Sequence, residues 1–307
     1  MKDRLLIILS IAGCLSVLIV VLMGALVTNT GSEYGCGNNW PLCNGQVIPD
    51  AHAHQTWIEF SHRAVSGVAS ILVVIQAIWL WFRFKHVWSG RFLVIASVFF
   101  IFLQAFLGMA AVVWGQSSVV LALHFGISLL SFASMLLLTC LVFESIEPDR
   151  HLFRLTLSRP MKWNFIFLGI YSYVLIYSGA FVRHTESSLG CTDFSLCNGH
   201  VLPEPLISKA GVQYLHRVLA LILLIWLIWN LVVSLKKYKN ELLLSNLLFI
   251  SLIFVALQAV SGIFIITTKM NLLFLLLHAL FVTGYFGVMT ILVLFGWRPR
   301  THRESVQ

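Results

Sequence analysis

Eight stretches of predominantly apolar residues, each ~20 residues or longer, constrain this chain more tightly than any other feature. Lipid offers no partner for backbone N–H and C=O groups, so segments of this kind are stable only as helices that cross a bilayer. The spans are placed at 5–27, 56–81, 92–114, 119–143, 163–182, 212–235, 242–267 and 272–295. Composition agrees: 59% of residues are hydrophobic and only 10% charged, against about 25% charged in a soluble domain. Lys2 and Arg4 before the first run resemble the start of a signal peptide. The run is too long for a signal h-region and is read as a helix.

The net charge of +8 would suit a nucleic-acid binder if it formed a patch, but its placement follows the membrane instead. Fifteen of the 20 Lys and Arg fall on one side of an eight-span arrangement. Arg63, Arg183, Lys209, Arg217 and Lys269 make up the other side. The positive-inside rule then predicts a multi-pass cell-membrane protein with both termini cytoplasmic and no nucleic-acid partner. Cys36, Cys43, Cys191 and Cys197 lie in the two long loops assigned to the opposite face, where disulfides form and persist. Cys14 and Cys140 fall within spans and read as small apolar residues.

The chain also repeats itself. Residues 35–49 (GCGNNWPLCNGQVIP) match residues 190–203 (GCTDFSLCNGHVLP) with one residue fewer between the second pair of cysteines. Beyond that deletion a constant offset of 154 aligns His62-Arg63 with His216-Arg217, Leu103-Gln104-Ala105 with Leu257-Gln258-Ala259, Gly108 with Gly262, and His124 with His278. A register kept without gaps over three helices argues for duplication. Each unit holds an even number of spans, so both enter the membrane from the same side and are related by an axis along its normal. The predicted fold is all-α: two tandem four-helix bundles with pseudo-two-fold symmetry, spanning 1–143 and 163–307, joined by a basic cytoplasmic linker at 144–162.

The repeat sorts the 11 histidines. His52, His54, His86, His151, His184, His200 and His302 have no counterpart, which leaves His62, His124, His216 and His278, all within spans. An intramembrane histidine is costly unless bonded or coordinated; a single one often serves to hydrogen-bond two helices. Four at matched depth, roughly 6–9 Å inside the outer boundary, suggest pairs facing each other across a metal on neighbouring helices. Haem fits a pair better than zinc, because zinc wants four protein ligands or three and water, whereas haem iron needs only axial ones. Gly108 and Gly262 would let backbone approach a flat ring, or would serve helix packing. Arg63 and Arg217 are candidate partners for haem propionates, with snorkelling to the interface as the plainer alternative.

The two units differ at one informative place. Glu59 precedes His62 by three residues, whereas Gln213 precedes His216 by three. Residues at i and i+3 share a helical face, so a titratable group joins only the first histidine pair, as a candidate proton donor or acceptor. Pairing of Glu59 with Arg63 at i+4 is the competing role. Cys36–Cys43 and Cys191–Cys197 are read as structural disulfides bracing the roof of each unit, with redox exchange as the alternative; neither has C-x-x-C spacing.

Glu59 with His62 and Arg63 (EFSHR), His124, His216, His278 and a cysteine pair in each outer loop together resemble the haem A synthase family, in its Gram-positive bacterial type. The resemblance covers essentially the whole chain. It implies an oxidoreductase that converts the C8 methyl of haem O to a formyl through an alcohol, for cytochrome oxidase assembly. It further implies haem B as cofactor on His216 and His278, a substrate half around His62 and His124, Glu59 as catalytic acid or base, and haem O synthase as the supplying partner. A homo-oligomer is compatible with the sequence. From the residues alone two other classes stay open: a bis-histidine cytochrome b with two permanent haems, and a disulfide-generating membrane oxidoreductase.

Overall fold

A computed structural model describes residues 2–50, 53–115, 117–146, 157–194 and 196–297. Eight helices follow one another: α1 (Lys2–Thr30), α2 (His54–Arg83), α3 (Trp88–Val113), α4 (Ser118–Ile146), α5 (Arg159–His184), α6 (Lys209–Lys237), α7 (Leu242–Thr267) and α8 (Leu272–Trp297). All eight are long and apolar enough to cross a membrane. Among the described residues there is no strand, only isolated bridges at Cys43–Gln46 and Cys197–His200. The chain is an all-helical, multi-pass membrane protein.

Most helices outrun the predicted spans by one to four residues at an end; α7 starts and stops where expected. Hydropathy sees only the hydrocarbon layer, while helical hydrogen bonding continues into the polar interface. The same effect shortens the expected linker. Its first residues, from Glu144 to Ile146, belong to α4, and those from Arg159 to Lys162 belong to α5; the stretch 147–156 lies outside the described residues, as do Arg150, Arg154, Arg298, Arg300 and Arg303.

Within the first unit α1 packs on α2, α2 on α3, α3 on α4 and α4 on α1; α5 to α8 close in the same cyclic order. The units meet through α4 on α5, α1 on α8 and α4 on α8. Lipid tails are as apolar as leucine, so close approach of small residues and a few hydrogen bonds must hold such a bundle. Gly126 on α4 lies against the Tyr177 ring of α5, and Gly287 on α8 lies against Phe132 and Leu136 of α4. Val21, Leu129, Ala133, Ile176 and Phe286 fill the centre of that seam. Polar bonds link helices inside each unit: Gln76 Nε2 donates to Ser10 Oγ at 3.1 Å, Trp226 Nε1 to Asn164 Oδ1 at 2.9 Å, and Ser172 meets Tyr285 at 2.6 Å.

Candidate functional site

The cyclic packing corrects one expectation at once. His62 on α2 and His124 on α4 sit on diagonally opposed helices, not neighbouring ones, and so do His216 on α6 and His278 on α8. Measured from the observed helix starts, the four lie six to eight residues in, roughly 9–12 Å. His62 and His124 remain within electrostatic reach of each other across the bundle, as do His216 and His278. All four rings are only half-buried although protein surrounds them.

A glycine backs every one of these rings. A Cβ on Gly24 of α1 would stand 3.5 Å from His62 Cε1, and one on Gly108 of α3 would stand 3.2 Å from His124 Cε1. The counterparts are Gly179 of α5, 2.9 Å from His216 Cε1, and Gly262 of α7, 3.5 Å from His278 Cε1. The odd-numbered helices thus make room for the imidazoles of the even-numbered ones. Gly108 and Gly262 were expected to admit a ligand or pack helices; they accommodate the histidine itself. Gly24 and Gly179 escaped the sequence reading, though the offset of 155 that pairs Cys36 with Cys191 also pairs them.

Both loops are held above their bundles by the residue three before the first histidine. Glu59, 3% exposed, accepts the Cys36 backbone N–H on Oε2 at 2.7 Å. Gln213, 5% exposed, accepts the Cys191 N–H on Oε1 at 2.5 Å and donates from Nε2 to the Ser188 carbonyl at 2.8 Å. Where glutamine spends its amide N–H, Glu59 meets Arg63: its Oε1 accepts from Nε at 3.0 Å and also from Nη2. Arg63 Nη1 donates to the Asn39 and Leu42 carbonyls. Four of the five N–H donors of that guanidinium are thereby engaged, among them those of an ion pair with Glu59, the competing role expected for Glu59. Arg217 is less committed: Nη1 donates to the Leu196 carbonyl at 3.0 Å and Nη2 lies 3.4 Å from that of Cys191.

The loops are built alike because their sequences demand it. Asn44-Gly45 and Asn198-Gly199 all have positive φ, the requirement of a type I′ turn, and each turn closes with paired backbone bonds, Cys43 with Gln46 and Cys197 with His200. The Gly199 and Asn198 N–H groups converge on Asp193 and hold its carboxyl below the usual carboxylate range. Both cysteine pairs are closed disulfides, Cys36–Cys43 and Cys191–Cys197, with every sulfur-bearing residue at most 2% exposed. Buried sulfurs are poorly placed for thiol exchange. Replacing either pair with serine should cost about 2 kcal/mol by loop entropy, read as a lower melting temperature in detergent; an unchanged melting temperature would contradict the bracing role.

The donor set suits a planar macrocycle better than a bare ion. Among the described residues no three His, Cys, Asp or Glu gather where a metal could bind, whereas each unit holds two imidazoles on diagonal helices within electrostatic reach of each other. His62 and His124 each keep a buried Nδ1 with no hydrogen-bond partner.

Residues 7–290 match the family model described as "Cytochrome oxidase assembly protein". The chain belongs to this family. A protein named heme A synthase from Bacillus cereus strain ATCC 14579 is 43% identical over 299 residues, covering 97% of this chain and 96% of that one. Relatives of the same name from Bacillus mycoides strain KBAB4 and Bacillus anthracis strain CDC 684 are 42% and 43% identical over 97% of this chain, and 96% and 95% of theirs. Within this family member both histidine pairs, Glu59 and both disulfides occupy the same end of the bundles, as the repeat requires. Of the other histidines, His184 ends α5 within electrostatic reach of His124, His200 closes a loop turn, His54 begins α2 and His86 lies between α2 and α3, while His52, His151 and His302 lie outside the described residues.

Proposed function

We propose that this chain oxidises the C8 methyl group of haem O to a formyl group, giving haem A for cytochrome oxidase assembly. Haem B is its cofactor, held by His216 and His278 in the half spanning 163–307; haem O lies between His62 and His124 in the half spanning 1–143. The observation that carries the reading is the inequality of two otherwise matched sites: a buried carboxylate, Glu59, brackets one roof and a neutral amide, Gln213, the other. The name that the relatives bear supports the same reading.

Bound haem B supplies one-electron redox chemistry. The chain's own residues do the rest. His62 and His124 orient the substrate from opposite helices, and the roof closed by Cys36–Cys43 shields it from water. Glu59, charge-balanced by Arg63, holds a proton-accepting group on the His62 face of α2. Arg217, with donors to spare, is the better candidate for a propionate. The two units are related by a pseudo-two-fold axis along the membrane normal, in keeping with a contact scheme that is unchanged when the units are exchanged. Both termini face the cytoplasm and the cysteine loops lie outside, consistent with Arg83, Lys85, Arg91, Lys236 and Lys237 at the opposite end of the bundles and with Arg91 stacked on Trp81 at 4.5 Å, as at a membrane interface. Haem O synthase supplies a substrate too apolar to cross water.

Identifying the pigments of the purified protein tests the proposal. Haem B together with haem O, haem A or the alcohol between them is expected. Two haem B per chain would instead indicate an electron-transfer cytochrome, and a colourless protein would defeat both. The glycine behind each ring provides a finer check. Gly179→Ala places a methyl 2.9 Å from the His216 ring, so it should displace the ligand and deplete haem B; Gly24→Ala meets His62 at an ordinary 3.5 Å and should leave haem B content unchanged. Equal haem B in the two variants would show that the glycines do not set the ring positions.

A further inference from the structure

The second imidazole nitrogen of each histidine separates the two units, and nothing in the repeat as read from His62, His124, His216 and His278 anticipates it. His216 Nδ1 lies 2.7 Å from Ser178 Oγ on α5, and His278 Nδ1 lies 2.9 Å from Ser261 Oγ on α7. Each serine oxygen also sits within bonding distance of a carbonyl on its own helix, Leu175 at 2.7 Å and Gln258 at 2.9 Å. A carbonyl carries no proton, so the single hydroxyl hydrogen must go there. The contact with the ring is then a hydrogen bond only if Nδ1–H donates to Oγ. Both rings are therefore held as the tautomer with the proton on Nδ1, which leaves the lone pair on Nε2.

The first unit lacks this arrangement. The offset that pairs Gly24 with Gly179 sets Met23 against Ser178, and the offset of 154 sets Leu107 against Ser261. Neither side chain can accept from an imidazole N–H as a hydroxyl does, and the Nδ1 atoms of His62 and His124 are buried without a hydrogen-bond partner. The Gln104 backbone carbonyl acts on the His124 ring as the Gln258 carbonyl acts on that of His278, so what the first unit lacks is the hydroxyl. Neither ring has a hydroxyl to fix its tautomer.

We infer that Ser178 and Ser261 are positioning residues that lock His216 and His278 as pre-organised axial ligands, while the absence of such partners lets His62 and His124 take up and release their haem. The inference rests on the reading of both pairs as haem ligands. It gives the asymmetry a physical cause. A hydrogen bond from the distal N–H fixes ring orientation and raises ligand basicity, which suits a permanent cofactor. A site that must admit a substrate and discharge a product of nearly the same shape gains from weaker, unlocked ligands.

The test compares Ser178→Ala/Ser261→Ala with Ser178→Thr/Ser261→Thr and with Met23→Ser/Leu107→Ser, all as full-length protein. The alanine pair should lower haem B affinity about 10–100-fold, raise the midpoint potential of the haem that remains, and shift its low-spin EPR g-values, which report the relative orientation of the two imidazoles. The threonine pair keeps the hydroxyls and should restore all three. Met23→Ser/Leu107→Ser should increase the haem O and haem A that stay bound through purification. Alanine variants with haem B content, potential and EPR identical to the parent, in a parent that holds haem B normally, overturn this inference alone. A parent protein devoid of haem B overturns it together with the functional reading beneath it.

Discussion

Glu59→Gln is expected to fold, keep its haem B and lose about 100-fold or more of its turnover, the range for removal of a positioned acid or base. The second unit explains why the fold should survive: Gln213 already fills the equivalent place and accepts the Cys191 N–H just as Glu59 accepts that of Cys36. The variant therefore preserves the bracket on the loop and removes the charge alone. Arg63 loses its partner, but it keeps the Asn39 and Leu42 carbonyls and sits near the outer surface. Removing Arg63 instead would be a poorer experiment. A buried carboxylate left without its cation costs about 3–5 kcal/mol, so lost activity could not be separated from lost structure. Haem content, melting temperature and conversion of haem O should be measured on the same Glu59→Gln preparation. Full conversion would leave Glu59 as a structural bracket only.

His278→Ala is expected to purify with less than about a tenth of the parent's haem B, judged against the 10–100-fold cost of disturbing even an outer-shell partner of a metal. His62→Ala and His124→Ala should keep haem B and lose bound substrate. The expectation follows from geometry. With Ser261 on Nδ1, Nε2 is the atom left to ligate, and removing the ring removes it. Pyridine haemochrome spectra of the three variants decide the matter. Haem B retained in His278→Ala and lost in His62→Ala would reverse the roles assigned to the two halves.

The competing role foreseen for Glu59, pairing with Arg63, is what the structure contains, and it need not exclude proton chemistry. The ion pair and the Cys36 N–H hold the carboxylate in one orientation, and orientation is a precondition for transfer. For Arg63 the consequence is larger, because most of its donors are engaged. Spacing could not show this: i+4 places two residues on one face but leaves open whether they bond to each other or to something between them.

The eight spans, the asymmetric distribution of charge, the duplicated unit and the four histidines were legible in the amino-acid order. A bilayer imposes one length and one polarity on every crossing, and duplication leaves a register that can be counted. The Asn-Gly turns under both disulfides were equally open to reading, since residues 44–45 and 198–199 carry the strongest short-range turn signal there is. What only the tertiary structure decided is the rotation and partnership of each helix. The α3, α4, α7 and α8 helices are apolar nearly all round, so their sequences do not announce which face turns inward. Small residues such as Gly126 and Gly287 set that choice through contacts with other helices. It is the choice that puts the histidine pairs on diagonals, stands a glycine behind each ring, and brings Ser178 to His216 across 38 residues while giving Nδ1 of His62 and His124 no such partner.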